Sequence, residues 1–288
     1  MKKTAVVTVA DSKFAPYLTV FLDSLTPFRH KLDVIVGGID FSHCDRVKSE
    51  FDAEIYSMAS LRPLIEPKLA ILQYAATKYE KVVFLDCDTI LLEDPCQIFE
   101  EVEWVGLSPD VHPLETVSHY HYSDAKSHTA ELARLIRVAP NSLRLYSGGI
   151  IAVNGRLAEF LIRWEEMIRL LLSSTIPLRR IPKYEGFKSE AMSDELPLSL
   201  FAAQCLESTT LPRVSDLPAT WSYPPLRGSE EITQVGEHFY ADGKRIKVLH
   251  YSYPLRPVPP GEITGQDPDH PVFELWRSRY RRLFPLGC

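Results

Sequence analysis

Two carboxylates, Asp86 and Asp88, stand one residue apart in Val82-Val83-Phe84-Leu85-Asp86-Cys87-Asp88-Thr89. The four apolar residues before them read as a buried strand, so the acids fall at its carboxyl end. In open α/β sheets, ligands bind at that end. Carboxylates so close repel each other and lose hydration unless a cation joins them. Oxygen ligands suit a hard divalent ion such as Mg²⁺ or Mn²⁺, which typically bridges substrate phosphates. The competing reading is a solvated turn whose two acids cap a following helix. Far downstream, Val248-Leu249-His250-Tyr251 places an imidazole at the end of another short apolar run. Arg256 follows closely, with Pro254 and Pro257 stiffening the loop. An imidazole can supply a third metal ligand, and a guanidinium can meet phosphate oxygens with a fork of donors. A lone histidine after a strand is otherwise an ordinary partly buried side chain.

The segments around these groups alternate in period. Thr4–Val9, Leu32–Val36, Lys81–Leu85, Trp104–Ser108 and Ile150–Val153 are β-branched or aliphatic runs of strand length. Between them, Leu18, Phe21, Leu22 and Leu25 recur at helical spacing, as do Leu69, Leu72, Ala76 and Tyr79 after Pro67. Leu157–Leu172 is a strongly amphipathic helix, and Asp194–Leu206 reads as another with Pro197 in its first turn. Lys247–Tyr251 is a last strand. Residues 110–143 are polar and His-rich without a clear period, and 177–193 and 211–227 read as loops. This alternation predicts an α/β layered fold with a largely parallel sheet.

Composition narrows the function. The chain has 288 residues, 45% hydrophobic and 24% charged, enough for a large core. A net charge of -6 argues against a nucleic-acid binder. No apolar run approaches the roughly 18 residues of a membrane span. The five cysteines are scattered without a C-x-x-C pair, which points away from a disulfide framework or zinc site and towards a cytoplasmic, reducing setting.

Together these pieces resemble the retaining glycosyltransferases of family 8, the group of glycogenin and the bacterial lipopolysaccharide galactosyl- and glucosyltransferases. The likeness runs from about residue 4 to about residue 257. It implies a GT-A, Rossmann-like nucleotide-sugar-binding fold with a mixed, mostly parallel sheet flanked by helices. Residues 1–260 form a single catalytic domain on this reading, and 261–288 a basic aromatic tail. The family's acidic D-x-D is matched by Asp86 and Asp88. Its H-[FY]-x-G-x-x-K-P stretch is matched by His250-Tyr251-Ser252-Tyr253-Pro254-Leu255-Arg256-Pro257. His250 is then the third metal ligand, and Arg256 replaces the family's phosphate-binding lysine. Tyr253 departs from a glycine whose backbone approaches the phosphate.

Further matches follow from the same resemblance. Lys68 sits where the family carries a lysine facing the donor; a surface lysine is the alternative. Thr8 and Asp11 follow the first strand, where the family binds uridine, although Asp11 can equally cap the next helix. Tyr146-Ser147-Gly148-Gly149-Ile150 parallels the family's N-S-G-V-M, with Tyr146 in place of Asn; Ser147 and Gly148 are donor-binding candidates, and Gly148 with Gly149 lets the backbone approach a sugar closely or makes a tight strand-entry turn. Ser193-Asp194-Glu195-Leu196 parallels D-Q-D-A, with Glu195 in the place of a glutamine and Leu196 in that of an aspartate. Asp194 and Glu195 are the candidate catalytic pair. A carboxylate under the anomeric carbon can act as nucleophile or stabilise an oxocarbenium-like transition state. Both acids also suit a helix start, as N-cap and first-turn residue.

The expected activity is metal-dependent transfer of a hexose from a nucleotide-diphosphate sugar, UDP-glucose or UDP-galactose, to a saccharide or glycolipid acceptor with retention. Mn²⁺ is the favoured ion and Mg²⁺ the alternative. Phe273–Phe284 interleaves arginines with aromatics, a composition that suits peripheral contact with an anionic membrane or a terminal helix packed on the core. Two other function classes compete. A sugar nucleotidyltransferase needs a Gly-rich loop that Val9-Ala10-Asp11-Ser12-Lys13 lacks. A non-catalytic sugar-nucleotide or glycan-binding protein is the second, and product formation separates it from an enzyme.

Overall fold

Strands of β-branched residues, buried on both faces, form the centre of the protein. The computed structural model describes residues 4–39, 44–58, 65–114, 123–178, 194–221, 232–236, 238–241, 243–250 and 271–283. The first half runs β1 (Thr4–Asp11), α1 (Ala15–Leu25), β2 (Asp33–Ile39), α2 (Cys44–Phe51), β3 (Glu54–Met58), α3 (Ile65–Ala76), β4 (Lys81–Leu85), β5 (Thr89–Leu91) and β6 (Val105–Pro113). The second runs α4 (Ser123–Ser127), α5 (Thr129–Ile136), β7 (Arg144–Asn154), α6 (Leu157–Ser173), α7 (Glu195–Glu207), β8 (Val214–Asp216), β9 (Ile232–Val235), β10 (His238–Ala241), β11 (Lys244–Arg245), β12 (Val248–His250) and α8 (Pro271–Leu283).

Seven strands pair in the order β3-β2-β1-β4-β7-β6-β8. β1 pairs parallel with β2 and β4, as do β2 with β3 and β6 with β8; β7 is antiparallel to both neighbours. The sheet is therefore mixed and mostly parallel, as expected. The two-residue strand period sorts side chains into two cores. Ala5, Val7, Val82 and Phe84 face α3, α6 and α7. Val6, Val83 and Leu85 face α1, together with Trp221. Truncating one such side chain, Phe84→Ala for example, costs about 3–5 kcal/mol on general grounds.

A third cluster lies outside the main sheet. β5 pairs antiparallel with β12, bringing Thr89 opposite His250. Val20 of α1, Ile90, Leu249, the β10 residue Phe239 and Trp276 of α8 fill the cluster. The expected strand Lys247–Tyr251 thus belongs to this two-stranded ribbon and not to the central sheet. Two short helices, α4 and α5, occupy part of the 110–143 stretch read as irregular. The Pro-rich 211–227 stretch contributes β8, a three-residue edge strand.

Candidate active site

The strand β4 ends at Leu85, and the next backbone amide, Asp86 N–H, still donates to Gly149 O of β7 at 2.9 Å. The chain then turns sharply. Thr89 returns its N–H and its hydroxyl to Asp86 O at 3.2 and 2.8 Å. Asp86 and Asp88 are thereby fixed on one tight turn between β4 and β5, with Asp88 only 6% exposed. Because β12 runs back along β5, His250 reaches the same turn. Its Nε2 lies 3.4 Å from Asp88 Oδ1 and 3.8 Å from Asp86 Oδ2. One ligand atom from each of the three residues falls within 4.8 Å of the others. Cis oxygen ligands at about 2.1 Å from an octahedral ion stand about 3 Å apart, so a small contraction would close this set on a divalent cation. Burial disfavours the imidazolium, but the Asp88 hydrogen bond and the charges of Asp88 and Asp86 more than offset that, so the His250 pKa is held above its usual value.

A second constellation adjoins the first. Lys68, in the opening turns of α3, is 8% exposed and bridges the two. Its Nζ lies 2.9 Å from Asp86 Oδ1 and 2.5 Å from Asp194 Oδ2, and it donates to Gly148 O at 3.1 Å. Burial opposes the ammonium, yet the charges and hydrogen bonds of Asp194 and Asp86 hold it charged, well above the usual lysine value. Asp194 takes the N-cap place of α7 without making a side-chain cap bond. Its carboxylate serves Lys68. Glu195, in the first turn of α7, accepts from Gly148 N–H at 3.4 Å. Burial raises the Glu195 carboxyl to about 7, although Lys68 and the Gly148 bond pull the other way. Gly148 is needed where it stands: a Cβ there would come within 2.6 Å of Asp194 Oδ2. Asp86, Asp88, Asp194 and Glu195 together outnumber Lys68 and His250, an excess of negative charge that a bound cation would relieve.

The remaining expected residues are more dispersed. Thr8 lies on β1, beside β4, fully buried, and its Oγ1 finds no hydrogen-bond partner among the described residues. Asp11 ends β1 and caps the following 3-10 turn, accepting from Lys13 N–H and Phe14 N–H at 2.8 and 3.1 Å. Ser147 Oγ accepts from Gly149 N–H at 3.2 Å. Arg256 and Tyr253 lie outside the described residues, as do 115–122 and 179–193 of the stretches read as irregular or as loops.

Sequence reasoning passed over Ser199. Its hydroxyl donates to Glu195 O at 2.6 Å and accepts from Tyr146 N–H at 2.9 Å, tying the first turn of α7 to β7. A polar residue four places after Glu195, in an otherwise apolar buried helix, was the available signal. Tyr146 itself points into the core, with its hydroxyl donating to Asp216 Oδ1 at 2.8 Å.

No family model and no curated protein sequence matches this chain. Solved structures do. A galactosyltransferase, LgtC, in complex with donor and acceptor sugar analogs is 15% identical, with a TM-score of 0.59 over 96% of this chain and 95% of its own. The glycosyltransferase GlyE of Streptococcus pneumoniae TIGR4 is 14% identical in its apo form, with a TM-score of 0.56 over 97% of this chain and 60% of its own. Mouse xyloside xylosyltransferase 1 is 11% identical, with a TM-score of 0.53 over 90% of this chain and 99% of its own. The sheet order, the helices on its two faces and these likenesses together establish that the chain has the GT-A glycosyltransferase fold.

Proposed function

We propose that the protein is a metal-dependent, retaining glycosyltransferase of the family 8 type. On this reading it moves a hexose from UDP-glucose or UDP-galactose to a saccharide or glycolipid acceptor. The observation that carries the reading is the convergence of Asp86, Asp88 and His250 on one turn at the carboxyl end of β4, next to the Lys68–Asp194 pair. The fold shared with LgtC, solved with donor and acceptor sugar analogs, supports a nucleotide-sugar donor and a saccharide acceptor.

Asp86, Asp88 and His250 would hold the ion, Mn²⁺ in preference to Mg²⁺. When bound, it supplies positive charge that stabilises the departing diphosphate. Lys68 adds its own charge on the same side and pairs with Asp194. Arg256 is assigned to the phosphates by the family match. Asp194 orients sugar hydroxyls through its remaining acceptor capacity. Glu195 is assigned to the anomeric carbon, where positive charge develops as the bond to the diphosphate oxygen breaks. The acceptor hydroxyl oxygen attacks that carbon and passes its proton to the departing diphosphate oxygen as the new glycosidic bond forms. Thr8 and Asp11 flank the nucleoside end, and Ser147 with Gly148 the sugar.

Calorimetric titration with UDP, with and without Mn²⁺ and beside GDP, tests the donor half. Metal-dependent binding of UDP in preference to GDP is expected, and Asp88→Asn should abolish it while leaving the fold intact. Metal-independent binding, or an unaffected Asp88→Asn variant, would remove the metal assignment. Release of UDP coupled to an acceptor product then separates a transferase from a binding protein.

A further inference from the structure

Gly149 touches two of the three proposed metal ligands. Its carbonyl accepts from Asp86 N–H at 2.9 Å, which holds the first carboxylate at the end of β4. Its Cα lies under the His250 ring: a Cβ built there would stand 2.2 Å from Cε1, 2.8 Å from Nδ1 and 3.1 Å from Nε2. Real Cβ atoms do not approach other atoms at such distances, so the imidazole occupies the space that any other residue would fill. The Gly149 backbone has no positive φ, so alanine brings no backbone strain and adds only a methyl group. Gly149 N–H is already held by Ser147 Oγ. Its strand is locked by the Leu85↔Ile150 and Phe84↔Ile151 pairs. The His250 backbone is in turn fixed opposite Thr89 by the β5–β12 ribbon. Neither backbone can yield easily, so a methyl group at 149 must turn the ring away from its 3.4 Å approach to Asp88.

We infer that Gly149 is the positioning residue of the metal centre, the side-chain-free seat that sets the His250 imidazole against Asp86 and Asp88. The inference rests on the reading of these three residues as metal ligands, but the seat itself is a property of the chain without metal. Gly149→Ala should bind Mn²⁺ at least tenfold more weakly than the wild type in a titration with the metal alone. In a His250→Ala background the same substitution should bring no further loss, because the ring it displaces is gone. A metal-free readout is the ¹H–¹³C spectrum of histidine-labelled protein in EDTA. The His250 Cε1–H peak, assigned by its disappearance in His250→Ala, should move in Gly149→Ala.

An unmoved peak, an unchanged Mn²⁺ affinity, or an equal loss in the His250→Ala background would each overturn the inference. Should the wild type bind no Mn²⁺, the metal reading falls, and the His250 peak alone decides whether Gly149 seats the ring. Should Gly149→Ala fail to fold, the double variant with His250→Ala should fold; its failure as well would mean that the methyl group meets something other than the imidazole.

Discussion

Lys68 shows how much one side chain is asked to hold at this site. A single ammonium lies within ion-pair distance of both Asp86 and Asp194. Glu195, next in sequence to Asp194, is lifted by burial to a pKa of about 7 against the opposing pull of Lys68 and the Gly148 N–H. The sign of the consequence follows from linkage. In the unfolded chain a glutamate ionises near 4.3. Between that pH and about 7 the folded protein keeps the proton that the unfolded chain has lost, so stability falls as pH rises through the window. Glu195→Gln removes this loss. In EDTA, the melting temperature of the variant minus that of the wild type should therefore grow from pH 5 to pH 8. His250, whose pKa is also raised, loses stabilisation with rising pH in both proteins and largely cancels in the difference. A difference that stays flat or shrinks would mean that Glu195 is ionised in the folded protein throughout. At this scale the Asp86–Asp88–His250 group was legible because its chemistry is written in residue types: two acids after an apolar run and a histidine after another. The seat that Gly149 offers the His250 ring was not, because it is a missing side chain whose meaning depends on what the fold brings over it.

At the scale of elements, the site depends on two junctions. The β5–β12 ribbon carries His250 and begins next to Asp88, and the start of α7 carries Asp194 and Glu195. The second junction is pinned by Ser199. Around Tyr146 the β6–β7 pairing is irregular, with register shifts on both sides of the Ser108↔Ser147 and Pro109↔Tyr146 pairs. The buried Tyr146 N–H takes Ser199 Oγ instead. Ser199→Ala would orphan that donor and free the Glu195 carbonyl, a cost of about 1–3 kcal/mol in denaturant unfolding. A cost near zero would mean that another acceptor replaces the hydroxyl. The long periodic elements, α1, α3, α6, α7 and the central strands, were readable from spacing alone. α5 and β8 were not. α5 has eight residues with Thr129, Leu132, Ala133 and Ile136 buried, barely two turns of pattern. β8 has three residues and cannot display an alternation. Its place is set by pairing with β6, a tertiary fact. The ribbon partner of β12 was hidden for the same reason, since Thr89–Leu91 is three residues following directly on a turn.

Over the whole molecule, the last helix returns to the first and reaches the β5–β12 ribbon. Trp276 of α8 is 2% exposed, with ring centroids 5.6 Å from Tyr17 and 4.8 Å from Tyr280. It shares one apolar cluster with Ile90 of β5 and Leu249 of β12, the residues next in sequence to Thr89 and His250. Arg279 and Arg282 both pair with Asp23 of α1, but partly exposed ion pairs contribute little, about 0–1 kcal/mol. The aromatic burial is therefore the stronger attachment. Among the described residues no helix is long and apolar enough to cross a membrane, and the aromatic face of α8 is occupied by the core. A membrane contact of the kind expected for the tail would accordingly fall to arginines not tied to Asp23, the half-buried Arg277 and the exposed Arg281, both of which pair with Glu274. This separates two roles that a tail deletion would confuse, because removing α8 also uncovers Ile90 and Leu249. Trp276→Ala should lower stability by about 3–5 kcal/mol. It should also weaken Mn²⁺ binding in a direct titration at a temperature where the variant remains folded, with Trp276→Phe recovering part of both. Arg277→Glu with Arg281→Glu should leave stability and metal affinity near wild type while reducing retention on anionic vesicles. If Trp276→Ala binds Mn²⁺ as tightly as the wild type, α8 stabilises the fold without bracing the ribbon. If the charge-reversed variant is retained as well as the wild type, the arginine face makes no membrane contact.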